Sequence, residues 1–294
     1  MELFNPQVDF VFKRIFGTEE NQDILVSFLN AVFEDSGQPL VSQVEVLNPF
    51  LEKDALTDKM SVLDIKARTE TGTLINIEIQ LRDAHDMAHR SLYYWAKLFE
   101  EQLQQGQYYH TLHKTVTINV LSFAMIPGLA FHTTFHLRED HSDYLLTDLA
   151  EMHFIELPKL RDQKVGLERR LVRWMLFLTA TTPDRLEALA MSDPVLKKAV
   201  NTLEFLSQDA RERALYEDRR KALLDWNSSI RSAKEEGREE GREEGREEGR
   251  EEGERHRALA TARNLVGMGL SVQQIAQATG LSPAEVEQIR QQPE

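Results

Sequence analysis

Two acidic residues in the first third of the chain have the types and spacing that could hold a metal ion. Asp64 and Glu78 lie in two alternating apolar and polar runs that flank a polar turn. If Thr69 and Thr73 close a three-residue hairpin loop, Gly72 takes the left-handed position that such loops favour. That register sets Asp64 opposite Glu78 on one polar face, with Cβ atoms about 5 Å apart. Because opposed carboxylates repel unless a cation lies between them, the hairpin predicts a site for a hard divalent ion such as Mg²⁺.

The same polar face also has an ordinary structural interpretation. A hairpin with one apolar and one polar face is typical of an antiparallel sheet whose polar side is solvated. Lys66 and Arg68 share the polar face of the first run and could neutralise both acids. The hairpin alone therefore leaves two interpretations open, a metal site and a solvated sheet face.

The order of the elements around the hairpin narrows this choice. Periodicity and capping residues predict helices before and after the hairpin, and short alternating or β-branched runs predict strands. In chain order, the predicted elements are a short helix over 8–16 ended by Gly17, an amphipathic helix capped by Thr18, a strand over 41–47, the hairpin, a helix over 84–105 and a buried strand over 115–123. The sequence thus predicts an α/β core in the order helix, strand, β-hairpin, helix, strand, followed by an α-helical C-terminal region.

This order and these acids resemble the PD-(D/E)XK nuclease superfamily. In that superfamily the first acid lies on the second strand and the E-x-K equivalent lies on the third, which here corresponds to Asp64 and then Glu78-x-Gln80. More narrowly, the chain resembles the recombination-promoting nuclease / putative transposase (Rpn) family, and the resemblance covers roughly residues 1 to 230 in layout. The segments that carry it are 9–17, 63–65, 77–80 and 90–94.

The resemblance implies roles for the matching residues. Asp64 and Glu78 would hold Mg²⁺ or Mn²⁺, which would polarise a phosphoryl oxygen and lower the pKa of a bound water. Gln80 stands where much of the superfamily has lysine, and its amide can orient a water but supplies no positive charge. Asp9 resembles the acid that the first helix contributes in many of these nucleases. An acid that favours the N-terminal end of a helix dipole explains Asp9 equally well.

The neutral Gln80 raises the question of which residue supplies a positive charge. Lys66 shares the predicted polar face, and Arg90 and Lys97 lie on one stripe of the following helix together with Tyr94. We expect this helix to pack across the sheet and to direct Arg90 or Tyr94 toward Glu78 and Gln80. Tyr94 could stack on the hairpin, although simple packing is the better explanation for an aromatic residue at this spacing.

Composition limits the function classes. The 294 residues suffice for one nuclease-sized core and an additional helical part, and the absence of cysteine excludes disulfides and thiolate chemistry. The first residues lack the basic start and apolar run of a signal peptide, and no apolar stretch is long enough to span a bilayer. We therefore expect a cytoplasmic protein without membrane contact. The net charge of −14 predicts weak and salt-sensitive DNA affinity, because nonspecific binding needs clustered Lys and Arg.

Four segments are predicted. They are a nuclease-like core over 1–160, a helical extension over 161–232, a Glu-Glu-Gly-Arg repeat over 233–255 and a small helix-turn-helix-like element over 256–294. Each glycine of the repeat costs about 1 kcal/mol of helix propensity relative to alanine, which predicts a marginal helix or a flexible linker. The last element presents Glu285 and Glu287 where a DNA reader would contact bases, which favours a helical cap or a homo-oligomer contact over DNA recognition.

These observations predict a metal-dependent DNA endonuclease of low sequence specificity, which hydrolyses phosphodiester bonds and is linked to DNA recombination or mobile elements. One alternative is a non-catalytic nuclease-fold module that binds protein or DNA in a defence or toxin–antitoxin context. Another is a transposase, which joins strands as well as cutting them.

Overall fold

One mixed β-sheet organises the first of two structural units. The computed structural model describes residues 3–48, 63–83, 85–162, 166–180 and 182–291. The chain divides into a unit over Met1–Lys221 and a second unit over Ala222–Glu294. The strands are Val44–Leu47 (β1), Ile65–Thr69 (β2), Leu74–Gln80 (β3), Thr115–Leu121 (β4), His132–Arg138 (β5) and Leu145–Glu156 (β6).

Helices precede, interrupt and follow this sheet. They are Asp9–Phe16 (α1), Gln22–Ser36 (α2), Met87–Glu100 (α3), Lys159–Asp162 (α4), Arg170–Thr179 (α5), Pro183–Ser192 (α6), Pro194–Gln208 (α7), Ala210–Gly267 (α8), Val272–Thr279 (α9) and Pro283–Gln291 (α10). Short 3₁₀ helices cover Glu19–Asn21 and Tyr109–Thr111. The predicted order of helix, strand, hairpin, helix and strand is confirmed, with two further strands and a helical C-terminal region after it.

The sheet has six strands in the order β1-β2-β3-β4-β6-β5. The first three strands pair antiparallel, β3, β4 and β6 run parallel, and β5 closes the far edge antiparallel to β6. The parallel strands therefore end at the same edge of the sheet, where Gln80 lies beside Leu121 and Leu121 lies beside Glu156.

The predicted hairpin register is confirmed. The N–H of Thr69 donates to the carbonyl of Thr73 at 3.0 Å, and Gly72 has a φ of 86°. Lys66 pairs with Asn76 and Ile65 pairs with Ile77, so the register continues toward Asp64 and Glu78. Gly72 is needed here because an L side chain is strained at this φ.

An aromatic core covers the apolar face of the hairpin. Phe12 and Phe16 of α1 contact Phe28 of α2, and Phe16 and Phe28 also contact Trp174 of α5. These aromatic side chains are buried, and so are the isoleucines of the hairpin. Helix α1 contacts the hairpin at β3. Burying a large apolar side chain stabilises a fold by roughly 1.5–3 kcal/mol, so this cluster holds α1 firmly against β3.

The polar face of the sheet is buried as well, beneath α3. The Ser91 hydroxyl lies 3.2 Å from the Thr117 hydroxyl, and Asn119 donates to Ser91 at 3.0 Å. Asn76 and Glu78 also lie on this covered face and are buried. The interpretation of a solvated sheet face is therefore wrong. Alternation correctly separated two faces, but it could not show that a helix bearing its own polar side chains would cover the second.

The first predicted strand and the helix after the hairpin are shorter in the structure than their sequence patterns indicate. The strand predicted over 41–47 begins only at Val44, because the side chain of Asn30 takes the hydrogen bonds of Val41: its amide donates to the Val41 carbonyl and its carbonyl accepts from the Val41 N–H. The helix predicted over 84–105 covers Met87–Glu100, and Ala84 lies outside the described residues.

The second unit begins within α8 and contains the Glu-Glu-Gly-Arg repeat as part of that helix. Beyond it, α9 starts with a capping box between Ser271 and Gln274 and ends at Gly280, whose φ is 72°. Ile275 and Val286 are buried in a small cluster with Ala262 at the end of α8. In the part of the chain that the structure describes, no helix is both long and apolar enough to cross a membrane.

Candidate active site

Asp64 and Glu78 meet at the open end of the hairpin, held by main-chain hydrogen bonds. Asp64 lies one residue before β2, so strand alternation does not set the direction of its side chain. Its Oδ2 accepts from the N–H of Ile79 at 2.9 Å, and its own N–H donates to Oε1 of Glu78 at 3.2 Å. Each acid thus accepts a hydrogen bond from a main-chain N–H at or next to the other acid, which fixes the pair at this end of the sheet.

Burial and mutual repulsion disfavour full ionisation of this pair. Burial, and next the charge of Asp64, raise the pKa of Glu78 to about 8. Burial also raises the pKa of Asp64, although the nearby Lys13 opposes that shift. Paired carboxylates with raised pKa values are a common property of functional sites. A cation bound between them would remove the cause of the repulsion.

Lys13 is a site residue that the sequence reasoning missed. Its Nζ lies 3.0 Å from Oδ1 of Asp64. The residue belongs to the segment 9–17 that carries part of the family resemblance, and its i, i+4 spacing from Asp9 was an available signal. Only the packing of α1 against the hairpin shows that this lysine reaches Asp64, because 51 residues of chain separate the two.

Gln80 and Arg90 contact each other beside Glu78. Nη1 of Arg90 donates to Oε1 of Gln80 at 3.4 Å, and the guanidinium charge counteracts the raised pKa of Glu78. The Arg90 guanidinium also lies 5.7 Å from the centre of the Tyr94 ring. The prediction that α3 crosses the sheet and directs Arg90 toward Gln80 is therefore confirmed.

Lys66 and Lys97 each form an ion pair with an acid near the C-terminal end of α3. Nζ of Lys66 lies 2.7 and 2.8 Å from the two carboxylate oxygens of Glu101, where α3 ends. Nζ of Lys97 lies 3.6 Å from the carboxylate of Glu100. Lys66 shares a strand face with Glu78, and its ammonium is bound to Glu101 at the end of α3.

Tyr94 and Asp9 lie at the margins of this site. Tyr94 packs against the buried Leu63, Leu74 and Leu98, as expected for a core aromatic. Asp9 opens α1, close enough for its charge to add to the raised pKa of Asp64. Oδ2 of Asp9 lies 3.9 Å from Nη1 of Arg219 on α8.

The donor set at Asp64 and Glu78 fits Mg²⁺ or Mn²⁺. In the described ranges, no group of three or more His, Asp or Glu side chains has the arrangement of a complete metal centre. Mg²⁺ does not need one, since it is commonly bound by one or two carboxylates together with waters and substrate phosphates. The two carboxylates present are hard oxygen ligands, and their repulsion is the property that a divalent cation relieves.

A second buried polar cluster lies on the opposite face of the sheet. His132 contacts Asp35 at 2.7 Å and His153 at 2.9 Å, and His153 contacts Glu151 at 2.7 Å. Lys114 donates to Glu151 at 2.6 Å. Burial raises the pKa of Glu151, but hydrogen bonds from His153 and Lys114 outweigh it and hold the value at about 2. These contacts pair every charge of the cluster locally and join β5 and β6 to α2.

Comparison with known families agrees with this geometry. Residues 6–233 match the model of a family described as PD-(D/E)XK nuclease family transposase. Searches of curated proteins and of solved structures returned no match.

Proposed function

This chain belongs to the PD-(D/E)XK nuclease family transposases, and from that premise we propose that it is a metal-dependent DNA endonuclease of low sequence specificity. The family supports a nuclease or transposase-like function. The observation that carries this proposal is the buried pair of Asp64 and Glu78, in which burial, and next the charge of Asp64, raise the pKa of Glu78 to about 8. Such a pair is unfavourable in a resting fold and suits a bound divalent cation.

Asp64 and Glu78 would hold Mg²⁺ or Mn²⁺. When bound, the metal would polarise a phosphoryl oxygen and lower the pKa of a water toward neutrality. Hydrogen bonds already hold both carboxylates in place, because Asp64 accepts from the N–H of Ile79 and Glu78 accepts from the N–H of Asp64. Ligands held by main-chain groups lose little further freedom when substrate arrives, which favours catalysis.

Gln80 and Arg90 would orient the groups that react. Because the Gln80 oxygen accepts from Arg90, the NH₂ end of the amide is the one that can donate to a water or a phosphate oxygen. Arg90 adds a permanent positive charge close to Glu78. Together the two side chains would combine the orienting role of an amide with the charge that a lysine carries elsewhere in the superfamily.

DNA would approach from the side of α1 and the start of α8. Arg219 is exposed there and lies beside Asp9, and the side chain of Lys13 is partly exposed. A few cations on a chain of net charge −14 would give weak binding that weakens further as salt is added. Contacts of this kind bind phosphates and do not recognise bases, which agrees with low sequence specificity. The family's description as transposases supports a link to recombination or mobile elements.

A second candidate is a non-catalytic nuclease-fold module that binds protein or DNA. Two observations favour it, the neutral Gln80 in the E-x-K position and the net charge of −14. A transposase is the third candidate, and its distinguishing property would be strand joining in addition to cleavage.

A plasmid-nicking assay tests the proposal. Wild-type protein should convert supercoiled plasmid to nicked circles with Mg²⁺ and should not do so in excess EDTA. Asp64→Asn should abolish nicking while leaving the melting temperature close to that of wild type. The matched control is Asp148→Asn, an exposed acid of β6, which should nick at the wild-type rate.

The products separate the remaining candidates. Wild-type protein that binds DNA but does not nick it under any divalent metal would support the non-catalytic module. Joined products from a linear donor would support a transposase. Full nicking by Asp64→Asn would show that the catalytic site does not lie at this end of the hairpin.

A further inference from the structure

The cations around the two acids differ in what they contact. Lys66 is bound to both oxygens of Glu101, and Arg90 is bound to Gln80 and lies near the Tyr94 ring. Lys13 contacts a carboxylate of the acid pair itself, with Nζ 3.0 Å from Oδ1 of Asp64. It therefore places a flexible ammonium on a metal-binding side chain.

Side-chain exposure decreases from Lys13 to the interior of the site. The Lys13 side chain is 35% exposed and that of Asp64 is 11% exposed, whereas Glu78 is 2% exposed. A phosphodiester too large to enter the core must arrive from the exposed side. The Lys13 ammonium thus lies where an approaching phosphate first meets the acid pair.

The position of Lys13 is set by a rigid part of the fold. Phe12 and Phe16, on either side of Lys13 along α1, are completely buried in the aromatic core. At Gly17, which ends α1, an added Cβ would lie 2.9 Å from the carbonyl oxygen of Lys13 and 3.4 Å from Cγ1 of Ile65. The glycine thus lets α1 end close to β2, the strand that directly follows Asp64.

We propose that Lys13 is a catalytic residue, and this inference rests on the proposed nuclease function. In the substrate complex its ammonium contacts a non-bridging oxygen of the scissile phosphodiester. During hydrolysis a water oxygen bonds to phosphorus and the bond from phosphorus to one sugar oxygen breaks. The attacking water loses a proton to solvent, and the leaving sugar oxygen gains one from solvent. Lys13 transfers no proton; it donates hydrogen bonds to the oxygen on which negative charge increases.

A purely structural role for Lys13 predicts different behaviour. A counter-ion for Asp64 competes with the metal, so its removal would strengthen metal binding and leave cleavage intact or faster. A catalytic cation predicts that cleavage is lost although metal binding is kept. Metal affinity and turnover therefore separate the two roles.

The test compares Lys13→Gln and Lys13→Arg with Arg14→Gln. Arg14 is the matched control, since it is the next cation on the same helix but pairs with Glu212 at 3.0 Å. Each variant is measured for its melting temperature, for Mn²⁺ affinity by electron paramagnetic resonance, and for kcat and KM of plasmid nicking.

Lys13→Gln should lower kcat about 100-fold or more, the usual effect of removing one donor to a developing negative charge. Its Mn²⁺ affinity should equal or exceed that of wild type. Lys13→Arg should keep part of the activity because it keeps the charge, and Arg14→Gln should keep the wild-type kcat. Wild-type kcat in Lys13→Gln, or a loss of nicking that simply follows lost Mn²⁺ affinity, would overturn the inference.

Failure of the proposed function gives a different result from failure of this inference. Wild-type protein without nicking would overturn both. Nicking by wild type that is abolished in Asp64→Asn and unchanged in Lys13→Gln would overturn the role of Lys13 alone.

Discussion

Replacing Glu78 with glutamine should stabilise the metal-free protein at alkaline pH while removing its response to Mg²⁺. The ordinary pKa of a glutamate, 4.5, applies to the unfolded chain, and the folded protein raises the pKa of Glu78 to about 8. The folded state therefore binds this proton more tightly than the unfolded state does. The associated stability is fully present below pH 4.5 and is lost as the pH rises toward 8.

The magnitude follows from the width of this window. One pKa unit corresponds to about 1.4 kcal/mol, so deprotonation of Glu78 should destabilise the metal-free fold by about 3 to 5 kcal/mol between pH 4.5 and pH 8. A glutamine side chain cannot ionise and has nearly the shape of a protonated glutamate. Its amide oxygen can still accept the hydrogen bond from the Asp64 N–H. Glu78→Gln should therefore match wild type near pH 4.5 and exceed it by a few kcal/mol at pH 8.

Urea unfolding in EDTA at several pH values between 4.5 and 8 measures this difference. The matched control is Glu45→Gln on β1, an exposed acid whose carboxylate lies 3.6 Å from Arg68. It should change the free energy of unfolding by no more than about 0.5 kcal/mol at any pH in this range. Addition of Mg²⁺ at 100 times its Kd should then stabilise wild type by about 2.7 kcal/mol and leave Glu78→Gln unchanged.

Two results would refute this reasoning. A wild-type free energy of unfolding that stays flat from pH 4.5 to pH 8 would show that burial and the charge of Asp64 do not raise the pKa of Glu78. Equal stabilisation of wild type and Glu78→Gln by Mg²⁺ would place the metal elsewhere.

Four further predictions concern the remaining parts of the chain. Arg90→Gln should slow nicking, and adding Gln80→Lys to that variant should restore the rate, because the new ammonium replaces the lost charge. Arg219→Gln should weaken DNA binding and reduce the dependence of log affinity on log salt by about one unit. Glu151→Gln should cost about 3 kcal/mol of stability at pH 7 and nothing near pH 2, because its lowered pKa of about 2 gives stability that is lost as pH falls from 4.5 to 2. Deletion of residues 233–294 should leave the melting temperature of the remainder nearly unchanged, because the repeat is exposed along α8 apart from the half-buried Gly253.

Each of these predictions has a control or an opposing outcome. Lys97→Gln removes a different cation of α3, and adding Gln80→Lys to this variant should not raise its nicking rate. Arg220→Gln, whose partner is Glu217, should leave the salt dependence unchanged. Stability of Glu151→Gln equal to wild type at pH 7 would show that the buried cluster on β6 is not a net stabilising element. A large drop in melting temperature after the deletion would show that the tail supports the first unit.

The sequence by itself determined the hairpin and its register. The alternation of apolar and polar residues has a period of two, and Gly72 supplies the positive φ that closes the loop. Both are local properties of a short segment, so no distant contact was needed to predict that Asp64 and Glu78 lie opposite each other. The order of the first elements and the stripe on α3 could be predicted for the same reason, because each depends on patterns within a short segment.

Only the tertiary structure decided what surrounds these acids. Whether the polar face met water or a helix depended on the packing of α3, which buries Glu78 and raises its pKa. The partners of the lysines depended on it too: Lys13 reaches Asp64 from α1, while Lys66 pairs with Glu101 at the end of α3. Such contacts join residues that are 35 or more positions apart in the chain, and spacing rules extend over only a few turns or strand residues. Charge pairing and burial at this site are therefore products of how the helices pack on the sheet.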